Sequence, residues 1–266
     1  MSDEFDNSFR VSPAYQSLAR RLGLDAETIF DHPEIEVWRR LPDRQNCTLD
    51  YTDDAGLTQR LHIKRYAAVG KSQTPAQEEV RGHRHLVNEK IPTADLVGFG
   101  GTADGRSFVI FADLAGFTPA DKLVAGGTPF EQVRDVTADL TARLHRVGLH
   151  HRDLYLCHFM VKLSDSADPA PPEVRLIDPA RVRPLGNVFT RHRWIIKDLA
   201  QFWYSTLQLP VSHDSRTAWL QRYAEQRGMP SPVNLRPPIE AKVRRIMRHD
   251  AKLNRLHPTR NVSIPR

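Results

Sequence analysis

Residues 129–162, "PFEQVRDVTADLTARLHRVGLHHRDLYLCHFMVK", constrain this chain more than any other stretch. Val133, Val136, Leu140 and Leu144 recur at helical spacing, and Gly148 supplies a residue that ends a helix readily. A polar run ending in Asp153 follows without a linker, and "FMVKL" then reads as a short strand. A second strand, "VRLID", lies beyond a Pro/Ser-rich loop at 164–173. A loop pinned between an apolar helix and short strands holds its carboxylate in a fixed place. The second half of the chain must therefore mix helix and strand.

The first half has a different period. "IEVWRRLPDRQNCTLDYTDDAGLTQRLHIKRY" alternates on either side of the turn "TDDAG", which predicts antiparallel strands. Thr74-Pro75, with Glu78 and Glu79 behind it, opens a helix over 75–89. "IPTADLVGFGGTADGRSFVIFADL" adds two strands around a Gly-rich turn. Residues 1–33 are a polar start with a short helical pattern at Tyr15, Leu18 and Leu22. "RHRWIIKDLAQFWYSTLQL" is apolar enough to be a deeply buried helix. These segments predict an extension at 1–33, a small sheet-rich lobe at 34–114, a larger helical lobe at 115–235 and a basic helix or tail at 236–266. The expected class is α+β.

With 266 residues, 40% of them apolar, the chain is long enough to bury a sizeable core. Its longest apolar runs fall far short of the roughly 20 residues that span a bilayer. The start "MSDEFDNSFR" has no apolar signal region, and Cys47 and Cys157 read as two reduced thiols, so a cytoplasmic protein is expected. Residues 236–266 carry nine Lys/Arg against Glu240 and Asp250, which more than accounts for the net charge of +6. Such a tail suits a solvated helix, an anionic membrane surface or an acidic substrate. No RNP, zinc-finger or helix-turn-helix signature accompanies it, so nucleic acid is not an expected partner.

Four polar residues stand in the chain order that phosphoryl transfer from ATP requires. Lys64 ends an alternating strand and is placed to hold nucleotide phosphates; Glu79, a helix later, is placed to hold Lys64, with Glu78 one residue off the register. Asp153 is placed to receive a proton from an acceptor hydroxyl. Asp178, at the end of "VRLID", is placed to bind a metal ion, with a turn role before Pro179 as the competing reading. Asp198 on the apolar helix must be paired if buried, and suits holding the backbone of the Asp153 loop, under which His151 packs. His158, five residues after Asp153, is a second metal ligand, a ligand through water, or an orienting group for Asp153.

"HRDLYLCHFMV", "LIDPARVR", "RWIIKDLAQFWYST" and "EEVRGHRHLVNEKIPTADLVGFG" together resemble the lipopolysaccharide kinase family, bacterial enzymes that phosphorylate Kdo or heptose in the lipopolysaccharide inner core. The likeness runs from about Ile35 to Tyr223 and includes His158. It implies a protein-kinase-like two-lobe fold and the cofactors ATP and Mg²⁺, with Mn²⁺ as a substitute. It further implies an anionic glycolipid acceptor and peripheral contact of the basic tail with the inner membrane. Pro179-Ala180 departs from the Leu or aromatic residue usual there. Because only Gly56 lies in the first hairpin, no Gly-rich phosphate loop is readable, and Arg44 with backbone N–H groups is expected to cover the phosphates. Backbone groups of Phe111–Asp113 are expected to pair with adenine. Two alternatives stay open: a kinase of another acceptor (a protein Ser/Thr or a small molecule), and a pseudokinase that only binds.

Overall fold

Alternation in the first half becomes one antiparallel sheet. The computed structural model describes residues 8–68, 74–164 and 171–256. It divides into two units, Met1–Arg84 with Thr93–Ala115, and His85–Pro92 with Gly116–Arg266. The first runs β1 (Arg10–Val11), α1 (Gln16–Arg21), α2 (Thr28–Asp31), β2 (Glu36–Arg40), β3 (Arg44–Thr52), β4 (Thr58–Tyr66), α3 (Pro75–Asn88), β5 (Leu96–Gly101) and β6 (Ser107–Ala112). Sheet order is β1-β5-β6-β4-β3-β2.

Leu49, Leu61, Ile63, Phe108 and Ile110 bury one face of this sheet. Because strand side chains alternate, Lys64 leaves from the other face. Residues 8–33 belong to this core as well. Ala19, Leu24 and Ile29 are buried in the same cluster, and β1 pairs with β5 through Arg10 and Phe99. That pairing explains Gly98: a Cβ there would stand 2.7 Å from the Phe9 ring and 2.9 Å from the Arg10 carbonyl.

The second unit contains β7 (Thr118–Pro119), α4 (Ala120–Ala125), α5 (Glu131–Arg146), β8 (Leu149–His150), β9 (Phe159–Lys162), β10 (Glu173–Leu176), β11 (Arg183–Pro184), α6 (Val188–Ser205), α7 (His213–Gln226) and α8 (Arg236–Leu256). The α5 face is rotated slightly from the one the apolar residues predict. Thr137, Thr141 and His145 are buried beside Val133, Leu140 and Leu144, whereas Val136 is only half-buried. The threonines are accepted because their hydroxyls donate back to Val133 O (2.8 Å) and Thr137 O (2.7 Å), leaving no unpaired polar atom. Gly148 ends the turn after α5 at φ +79°, where other residues are strained. Phe202 of α6 stacks on Trp219 of α7 at 3.9 Å, joining the two helices at the centre of the core.

Two strand pairs place the functional loops. β8 leads into the Asp153 loop and β9 leaves it; β10 leads to Asp178 and β11 follows it. Because β8 pairs with β11 and β9 with β10, the two loops are held at one end of the same ladders. The basic C-terminal segment is helical, but its apolar stripe is already spent. Ile239 and Val243 are buried in the core beside α6, and Ile246 packs partly against it. That stripe is therefore covered by the fold and does not face outward. What faces outward is Arg244, Arg245 and Arg248. Residues 165–170 of the Pro/Ser-rich loop and 257–266 of the tail lie outside the described residues. Among the described residues, no helix is long and apolar enough to cross a membrane.

His150 gives the fold a pH dependence. Its buried ring stacks on Trp194 at 4.9 Å, and burial pushes the imidazole down from 6.5 to about 4. The unfolded chain thus binds the extra proton in this window, so stability is full above pH 6.5 and declines as pH falls toward 4. His150→Phe, which keeps a stacking ring and removes the proton, is expected to lose less thermal stability across that window. Melting curves at successive pH values check this, and an unchanged slope would remove His150 as a cause.

Candidate active site

In the first unit, Lys64 Nζ lies 2.6 Å from Glu79 Oε1, and Tyr66 donates its hydroxyl to the same oxygen at 2.8 Å. Helix phase decides between the two glutamates. Glu79 points inward at 1% exposure, while Glu78 sits at the half-exposed rim beside Arg81 (3.4 Å). Glu79 Oε2 is buried without a hydrogen-bond partner among the described residues, so this carboxylate has acceptor capacity left. β2 and β3 are joined through a tight Pro42-Asp43 turn without glycine, closed by Leu41 N–H to Arg44 O at 2.8 Å. Arg44 begins β3 directly behind that turn and pairs in register with Tyr66.

The proposed adenine edge is more occupied than the sequence implies. Phe111 pairs with both His62 and Leu96 in the sheet. The Asp113 N–H donates to Arg60 O at 3.0 Å, and its carboxylate takes His62 Nε2 at 2.7 Å. Base pairing through Phe111 or the Asp113 N–H would have to replace a sheet bond.

The second unit holds the carboxylates. Asp198 is fully buried and accepts the backbone N–H groups of His151 (2.7 Å) and Arg152 (2.8 Å), with His145 Nε2 at 3.3 Å. Burial acts to raise its pKa, but His145 and the His151 N–H outweigh it, and the carboxyl stays below its ordinary value. One side chain therefore fixes the loop backbone immediately before Asp153, and Arg152 is bent into the left-handed region at φ +70°. His151 packs beneath, fully buried, its Nε2 donating to Ile177 O at 3.0 Å. Burial holds this imidazole below its ordinary pKa.

Asp153 is used by side chains and not by local backbone. Arg181 Nη1 reaches both its oxygens at 3.1 Å, and Gln201 Nε2 donates to Oδ1 at 3.3 Å. Asp178 adopts φ +60° before Pro179 and makes no side-chain cap, so the turn role does not claim its carboxylate. His158 faces the Asp153 backbone with one nitrogen and the Asp178 carboxylate with the other. Nδ1 donates to the Asp153 carbonyl at 2.7 Å, and Nε2 lies 3.6 Å from Asp178 Oδ2. Burial disfavours the imidazolium, but the Cys157 thiol, the Asp178 carboxylate and the Asp153 carbonyl outweigh it, raising the pKa to about 10. A metal ligated by Nε2 must displace that proton.

This donor set fits a divalent ion that arrives with phosphates. Mg²⁺ takes one or two carboxylates from the protein and fills its remaining positions with phosphate and water. Asp178 supplies the hard oxygen, with His158 beside it. Among the described residues no group of three or more His, Cys, Asp or Glu side chains converges as a self-sufficient metal site.

Several functional residues escape a sequence reading. Arg181, Lys197, Gln201 and Ser205 all serve the loop: Lys197 Nζ donates to Arg152 O (2.6 Å), Gln201 Oε1 accepts from Leu154 N (3.3 Å), and Ser205 Oγ accepts from Leu156 N (2.9 Å). The last three recur every fourth residue on α6, a polar stripe along an otherwise apolar helix. That spacing was the available signal.

Comparison with known proteins gives the chain a family. Residues 45–223 match the model of the lipopolysaccharide kinase (Kdo/WaaP) family. The chain is 25% identical over 159 residues to lipopolysaccharide core heptose(I) kinase WaaP of Pseudomonas aeruginosa, covering 56% of this chain and 59% of that one. Against the protein of the same name from Escherichia coli K12 it is 24% identical over 205 residues, covering 69% and 75%. The chain thus spans less than two thirds of the first of these relatives. A solved structure of WaaP in complex with acyl carrier protein superposes with a TM-score of 0.64 at 22% identity, covering 90% of this chain and 98% of that one. The shared fold has the sheet-rich first part and helical second part expected of a protein-kinase-like α+β chain.

Proposed function

Because the chain belongs to the lipopolysaccharide kinase (Kdo/WaaP) family, we propose that it transfers the γ-phosphoryl group of ATP to a sugar hydroxyl, of heptose or Kdo, in the lipopolysaccharide inner core. The observation that carries this reading is Asp153, a carboxylate held by Gln201 and Arg181 on a loop whose backbone Asp198 pins. Phosphoryl transfer asks a protein mainly for positioning and charge neutralisation, and these residues supply both.

Lys64, kept extended by Glu79, holds the nucleotide phosphates. Asp178, with His158 beside it, holds Mg²⁺ or Mn²⁺, which when bound neutralises phosphate charge. Asp153 orients the acceptor hydroxyl and takes its proton as the oxygen attacks phosphorus. Arg181 is released from Asp153 by that hydroxyl and faces the charge developing on the transferred group. The acceptor is an anionic glycolipid, and the reaction belongs on the cytoplasmic side of the inner membrane.

The test is transfer of label from radiolabelled ATP to inner-core lipopolysaccharide stripped of phosphate, with Mg²⁺, with Mn²⁺ and with chelator. Label should enter the glycolipid only when a divalent ion is present. Lys64→Met should raise the KM for ATP about tenfold or more, the loss of a charge-assisted contact to phosphate. ATP binding without transfer would point to another acceptor. Failure to bind ATP at all would end the kinase reading.

A further inference from the structure

The second unit gathers more positive charge beside Asp153 than phosphoryl transfer uses. Arg181 is ion-paired with Asp153. Arg152, Arg193 and Lys197 lie close by, and none of the three has a carboxylate at ion-pair distance among the described residues. They collect instead on one indole, with Lys197 also donating to the Arg152 carbonyl. The Arg152 guanidinium lies 4.3 Å from the centre of the Trp194 ring, Arg193 5.2 Å and Lys197 5.8 Å. The stacked His150 ring backs that indole, so it is a fixed platform.

Two details mark the cluster as incomplete. Arg152 Nε is shielded from solvent and donates to nothing among the described residues. The cations also repel one another: burial, then Arg181, lowers the pKa of Arg152, and burial with Arg181 and Arg152 brings Lys197 down to about 8, although the Asp153 and Asp198 carboxylates pull both the other way. The ring face and these two carboxylates offset part of this repulsion, but Asp153 is shared with Arg181 and Asp198 with the loop backbone and His145, so they do not balance the charges. An anion does, and the planar Arg fork matches the oxygens of a carboxylate or phosphate.

We propose, on the kinase assignment above, that Arg152, Arg193 and Lys197 on Trp194 form a subsite for a carboxylate or phosphate borne by the acceptor sugar chain near the hydroxyl that Asp153 receives. Arg152 immediately precedes Asp153, so anion and hydroxyl are read by adjacent residues. The charged group then sets which hydroxyl arrives at the base, which makes the cluster a specificity element and not part of the chemical step.

Kinetics with paired acceptors test this. The acceptors are the native glycolipid and the same glycolipid with its phosphates removed and its carboxylates reduced to alcohols. Arg193→Gln, at an exposed position, and Arg152→Gln should raise the KM for the native acceptor about tenfold, as expected for losing one charge-assisted contact, with the KM for ATP unchanged. The neutral acceptor should bind weakly to wild type and be indifferent to Arg193→Gln. Equal losses on both acceptors, or a rise confined to the ATP KM, would overturn the subsite.

A binding measurement separates this inference from the kinase reading. Trp194 fluorescence should change saturably with the acidic core oligosaccharide, lose that response in Trp194→Phe, and need about tenfold more ligand in Arg193→Gln. That result supports the subsite even if no phosphate is transferred. Inorganic phosphate serves as a second probe; a response to phosphate that ATP abolishes, with none to the oligosaccharide, assigns the cluster to nucleotide and overturns the proposal. No saturable response to either probe overturns it too.

Discussion

Asp153→Asn is expected to lower kcat by about a hundred- to ten-thousand-fold, the usual contribution of a positioned general base. Asparagine fills the same space and keeps an oxygen for Gln201, which donates to Asp153 Oδ1 at 3.3 Å. What it lacks is a site for the hydroxyl proton and the charge that holds Arg181 at 3.1 Å. The KM for ATP should stay near that of the wild type, because the nucleotide contacts assigned to Lys64 are untouched. Single-turnover transfer at saturating ATP reads the chemical step alone. A kcat within a few-fold of wild type would take the base role away from Asp153.

Asp198→Ala is expected to destabilise the fold by about 3–5 kcal/mol, the cost of removing one partner from a buried charged network. Its carboxylate accepts two backbone N–H groups and faces His145, all in the interior. Alanine leaves those donors buried and unpaired. Asp198→Asn should fall between wild type and alanine. Both carboxylate oxygens are engaged, so an amide replaces one acceptor with a donor facing a backbone N–H. Urea unfolding measures the difference, and activity should fall with it because the Asp153 loop loses its anchor. A loss under about 1 kcal/mol for alanine would mean that solvent satisfies the loop backbone and that Asp198 is not its anchor.

Legibility from sequence followed a physical divide. β3 and β4 were readable because alternation over nine residues each and the turn between them are local properties. β1 was not: two residues carry no period, and only the approach of Phe9 to Gly98 reveals the pairing. The polar stripe Lys197, Gln201 and Ser205 was present in the sequence, but its meaning depends on which loop lies opposite. The charge of the segment that becomes α8 was readable, but not what its apolar side covers.

The sequence alone determined the order of Lys64, Glu79, Asp153 and Asp178 and the α+β class. Periodicity, turn residues and chain order are written along the backbone, where each residue's neighbours are known. Tertiary structure decided which glutamate holds Lys64, which nitrogen of His158 faces Asp178, what α8 packs against, and that three cations share Trp194. Each of these is a contact between residues distant in the chain, or a choice between adjacent side chains that helix phase and burial make. No local pattern encodes such a choice until the partners are folded together.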